Sequence, residues 1–148
     1  MGIGPWAQGK AMKHQLMIQA IWAAGAVHLA IIGANVPLPG MLQVRDRLAP
    51  VPRFVRQIFY VHWIYIVLVL AMFATLCFAF ARDLAGATSI GRFLSGFIGA
   101  FWLLRIALQV LYYDRAVRRE HPLLDALYLL ALSVLVLVFG IATMQPIR

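Results

Sequence analysis

Few side chains in this sequence can do chemistry, and most lie inside apolar runs: His28, His62, Arg105, Gln109, Tyr112 and Asp125. An ionisable group in hydrocarbon is costly to desolvate, so each is a functional hypothesis by default. Two imidazoles on different helices, His28 and His62, could be the axial ligands of a b-type haem, one nitrogen on each side of the macrocycle. Arg105, Arg53 or Arg56 could then pair with its propionates, because a guanidinium matches a carboxylate geometrically. Gly25, one turn from His28, would leave room for the ring. Without a metal, Arg105, Gln109, Tyr112 and His62 could hold the headgroup of a quinone or lipid, with His62 or Asp125 exchanging a proton near neutral pH. A two-histidine copper or zinc site needs a third ligand, for which Asp125 and His121 are the candidates.

Helical spacing groups these residues. Trp102, Gln109 and Tyr112 stand at −3, +4 and +7 from Arg105, so they share its helix face. A stripe of Trp, Arg, Gln and Tyr is expected to face other helices. His28 shares a face with Gly25, Ala24 and Asn35; His62 shares one with Tyr65 and Ile58; Asp125 and Tyr128 are three apart. Counted from the nearest run ends, His28 and Arg105 are each about 12 Å deep and His62 about 6 Å, at 1.5 Å per residue. Asp125 is shallower. All four enter from the same side, and the opposite half is nearly bare, with Gln19, Thr75, Ser89 and Ser95 among its few polar side chains.

Each residue also has an ordinary reading. His62 begins an aromatic-rich run and suits an interfacial belt. Arg105 could extend its stem toward headgroups. A carboxylate in a helix's first turn, as at Asp125, is stabilised by the helix dipole. His28 could be a hydrogen-bonded staple between helices.

Four apolar runs must position these groups. They span about 16–36, 58–81, 90–113 and 122–144. Pro37-Leu38-Pro39-Gly40 stops the first. Arg82-Asp83 and Gly86 separate the second from the third, and Pro122 suits the first turn of the fourth. The connector with Arg45, Asp46, Arg47, Arg53 and Arg56 could form a short interfacial helix. Short connections imply antiparallel neighbours, hence an up-down four-helix bundle. Gly25, Gly33, Gly96 and Gly99 are the expected close-packing points, since small residues let apolar helices approach.

Composition sets the class. Of 148 residues, 64% are hydrophobic, against about 45–50% for a soluble domain, and the mean hydropathy is +0.86. Runs of about 20 apolar residues match a bilayer's hydrocarbon thickness. The expected fold class is therefore an all-α integral membrane protein, one four-span domain over residues 1–148. The net charge of +8 does not point to nucleic acid, because Lys and Arg lie between the oily runs, where they fix orientation. Arg45, Arg47, Arg53, Arg56, Arg115, Arg118 and Arg119 fall on one side; Lys10, Lys13, Arg82, Arg92 and Arg148 fall on the other. Seven against five places the arginine-rich loops in the cytoplasm, with a bacterial inner membrane as the expected location. The apolar run continues past Ala24-Gly25-Ala26, so no signal cleavage is expected there. The single cysteine, Cys77, excludes an internal disulfide.

The functional expectation is a small membrane subunit that binds haem b or a quinone-like amphiphile through this polar cluster and serves electron transport. Its partners would be lipid and either other membrane subunits or further copies of itself. The alternatives are a non-catalytic accessory subunit, and a membrane enzyme or lipid-binding protein with a metal-free polar pocket.

Overall fold

The computed structural model describes residues 5–41, 43–112 and 122–146. The loop arginines Arg115, Arg118 and Arg119, together with Tyr113, His121 and Arg148, lie outside the described residues. Every described element is helical: α1 (Pro5–Asn35), α2 (Leu38–Met41), α3 (Val44–Arg47), α4 (Arg53–Ala79), a π-type turn (Asp83–Ala87), α5 (Ser89–Leu111) and α6 (Pro122–Met144). Four of these helices, α1, α4, α5 and α6, are long and apolar enough to cross a membrane.

Local chemistry accounts for the ends. α1 begins at Pro5, well before the apolar run, because hydropathy marks the oily part of a helix and not its hydrogen-bonded length. It stops at Asn35, whose Nδ2 donates to the Ile31 carbonyl at 2.8 Å, just ahead of Pro37. The connector forms two single turns, α2 and α3. α4 likewise starts before its apolar run, at Arg53, immediately after Pro52. At the next corner Gly86 adopts φ +89°, a left-handed conformation that glycine takes without steric cost. Thr88 then caps α5, its Oγ1 accepting the Gly91 N–H at 3.0 Å.

The corner is locked to the helices around it. Gly91 lies so close to the Asp83 carbonyl that a β-carbon there would overlap it. Buried Ser95 donates to the Leu84 carbonyl at 2.8 Å, and Arg92 Nε donates to the Thr143 carbonyl at 3.0 Å, joining the start of α5 to the end of α6. The hydroxyls of Thr75, Ser133 and Thr143 each donate to the carbonyl four residues earlier, so these polar groups are satisfied within their own helices.

The closest helix pairs are α5 with α6 and α1 with α4, with α1 also lying against α6. Buried positions concentrate toward the π-turn end. In α4 the first buried residue is Leu70, and in α6 it is Leu132. The Arg53–Val69 half of α4 contains none.

Of the glycines expected at close contacts, Gly25 makes the tightest. A β-carbon there would stand 2.9 Å from the Phe78 ring and 3.0 Å from Cys77 Cβ. Gly99 and Gly96 meet Phe139 and Thr143 at an ordinary 3.4 Å, whereas Gly33 faces open space. Gly25→Ala is therefore expected to destabilise by about 1–3 kcal/mol through overpacking. Gly33→Ala, which adds helix propensity without a clash, should be neutral or stabilising by up to about 1 kcal/mol. Unfolding in detergent micelles compares the two.

Candidate functional site

Four helices converge on one imidazole. His28 of α1 is completely buried, with Phe73 of α4 edge-on at 5.8 Å, Trp102 of α5 at 5.4 Å and Phe139 of α6 at 6.1 Å between ring centroids. The indole N–H of Trp102 donates to His28 Nε2 at 3.0 Å. An indole nitrogen can only donate, so Nε2 must carry the lone pair and the proton must sit on Nδ1. That proton is donated to the Ala24 carbonyl at 2.6 Å. The result is a neutral imidazole of defined tautomer with both nitrogens bonded. Phe101 extends the ring cluster, edge-on to Phe73 at 5.1 Å and to Trp102 at 5.2 Å.

One turn along α5 from Trp102, a second polar group begins. Arg105 donates to Gln109 Oε1 at 3.0 Å, and Gln109 Nε2 donates to Asp125 Oδ1 on α6 at 2.8 Å. The Arg105 guanidinium also lies 5.4 Å from the centroid of the Tyr128 ring, within the range of a cation–π attraction. The amide of Gln109 can bridge a cation and an anion in only one sense, oxygen toward Arg105 and nitrogen toward Asp125. The relay joins one positive and one negative group through a dipole aligned with both, which lowers the cost of holding charge among apolar side chains.

The structure brings together three of the six candidate residues. Gln109 is buried, and Arg105 and Asp125 are half-buried beside it. His28 lies deeper, in its own aromatic shell. The expected inward stripe turns outward at its end: Trp102 is 2% exposed, but Tyr112 is 84% exposed, because α5 ends at Leu111 and Tyr112 is the residue that closes it. His62 is exposed on α4, its Nδ1 bonded to the Ile58 carbonyl at 2.9 Å within its own helix. A buried His28 and an exposed His62 do not share an enclosed site, and a metal on His28 would have to displace Trp102 or Ala24. Among the described residues, no three His, Cys, Asp or Glu side chains are grouped to hold a metal ion.

Sequence reasoning missed the pairing of His28 with Trp102. The signal was present, since both residues lie at similar depth from the same run ends. Spacing along single helices does not say which deep side chain of another helix answers the imidazole.

No family model, curated protein or solved structure matches the chain.

Trp102→Phe removes the donor and leaves the buried His28 Nε2 unsatisfied, an expected loss of about 1–3 kcal/mol. Combining it with His28→Leu removes the stranded acceptor as well. The double variant should then be less destabilised than the sum of the two single changes, as a double-mutant cycle of unfolding free energies would measure.

Proposed function

We propose that this chain is a four-span integral membrane protein, an up-down bundle, that binds the headgroup of a quinone-like amphiphile at Arg105, Gln109 and Asp125. Insertion is supported by the four long apolar helices and by the cost of exposing such surfaces to water. The contacts of Gly25 with Phe78 and of His28 with Phe73 support an antiparallel α1–α4 pair. The excess of Lys and Arg in the arginine-rich loops supports a cytoplasmic location for them.

The observation that carries the ligand reading is the half-buried Arg105–Gln109–Asp125 relay. It lies toward the end of the bundle where α4 and α6 bury nothing before Leu70 and Leu132. A planar guanidinium suits carbonyl, carboxylate or phosphate oxygens, and Asp125 can accept from a hydroxyl. Neighbouring Tyr128 supplies a ring on which a flat headgroup can stack. A haem ligated by His28 fits this shell less well, since both imidazole nitrogens are engaged and three rings surround them.

A second reading, an accessory subunit of a larger membrane assembly, is favoured by the exposed first half of α4. The two readings are compatible, because the relay and that helix face involve different residues.

A thermal-shift series in detergent tests the ligand reading. A short-chain quinone is expected to raise the unfolding midpoint of the wild type, as binding to the native state must. Arg105→Gln should abolish the shift, and a zwitterionic lysophospholipid should not reproduce it. A wild type unmoved by quinone, or an Arg105→Gln variant that keeps the full shift, overturns the proposal. An intense haem absorption band that disappears in His28→Ala would install the haem reading in its place.

A further inference from the structure

α4 carries two opposite faces. Trp63, Val67, Leu70, Ala74 and Cys77 recur at helical spacing and are half-buried or buried. About half a turn around, Ile58 (40% exposed), Val61 (49%), Tyr65 (62%), Leu68 (51%) and Met72 (57%) recur at alternating steps of three and four. That alternation is the seam spacing of a helix that packs along a second helix.

Two polar groups lie on or beside this seam, and neither is satisfied by another helix. Tyr65 stands next to the midpoint of the 27-residue α4, about 18 Å along the helix from Arg53 at 1.5 Å per residue. Counted from Ile58, where the apolar run begins, it is about 10 Å deep, one turn further in than His62. Its hydroxyl has no hydrogen-bond partner among the described residues, and a lone hydroxyl in hydrocarbon is unfavourable. His62, one turn earlier, bonds the Ile58 carbonyl through Nδ1. If that bond is donated, as an acceptor carbonyl requires, then Nε2 is a lone pair directed away from its own helix. A donor and an acceptor thus sit three residues apart on the outside of one span.

We infer that this face is a homodimer interface, with α4 packed against α4 of a second copy about a two-fold axis along the membrane normal. Two copies inserted the same way place their α4 helices parallel, with equal residues at equal depth. A helical side chain leans over the turn N-terminal to its own Cα. His62 leans the same way, as its bond to the Ile58 carbonyl shows, so the longer Tyr65 side chain must reach back past residue 62 for its Oη to meet the imidazole. In the dimer it donates to His62 Nε2 of the second copy, and the symmetry axis repeats the bond. An isologous interface requires a self-complementary patch, and this donor–acceptor pair is one. The inference rests on membrane insertion and not on the ligand at Arg105.

Single-cysteine cross-linking in native membranes tests it, in a Cys77→Ala background. Val61→Cys and Leu68→Cys should give disulfide-linked dimers on mild oxidation, and Val67→Cys on the opposite face should give none. In nanodiscs, Tyr65→Phe and His62→Ala should each weaken dimerisation by about tenfold, the effect of losing two modest intramembrane hydrogen bonds. The double variant should be no weaker than either single change. If Cys77→Ala impairs folding, the same series in the native background serves, since Cys77 is fully buried. A monomer in nanodiscs, equal cross-linking on both faces, or undiminished dimerisation of Tyr65→Phe overturns the interface. Membrane insertion is checked separately, by whether the protein resists alkaline extraction.

Discussion

The hydrogen bond from Trp102 to His28 is the constraint on which the core depends. α1 and α5 are not a closely packed pair, yet this bond sets their relative height and rotation. Its partners are buried, so breaking it leaves a donor and an acceptor with no water to replace them. The backbone bond from Nδ1 to Ala24 fixes the ring plane, and Phe73 and Phe139 close the remaining sides. Each of the four long helices contributes one group to this shell. A polar staple of this kind matters among helices that are apolar on every side, because burial of hydrocarbon alone distinguishes poorly between their alternative packings.

The two ends of the bundle are built differently around that shell. Toward the π turn, Gly91 against Asp83, Ser95 on Leu84 and Arg92 on Thr143 tie successive elements together through backbone carbonyls. These bonds fix chain to chain and leave little to vary. Toward the arginine-rich connector, side chains bond to side chains, and α4 and α6 bury little. Polarity and looseness coincide there, whereas the π-turn end is braced.

α4 mediates between these roles. Its second half packs on α1 at Gly25, while its first half carries the exposed aromatic and histidine side chains. A helix apolar all round can face protein on one side and lipid or another subunit on the other without any change of composition. Its polar exceptions, His62 and Tyr65, therefore say more about its surroundings than its many aliphatic residues do.

Much of this was legible in the chain itself. The four apolar helices, the stop at Pro37, the corner at Gly86 and the start at Pro122 all follow from local rules. Proline restricts the backbone wherever it stands, and glycine permits the left-handed turn that other residues resist. Which faces meet was a tertiary decision. His28 pairs with Trp102 and not with His62, Gly25 is crowded while Gly33 is open, and Tyr112 turns outward where Gln109 turns in. The reason is physical: when apolar residues surround a helix on every side, no hydrophobic asymmetry marks its inner face. The few polar and small side chains then choose it, and they do so only when a complementary helix is present to answer them.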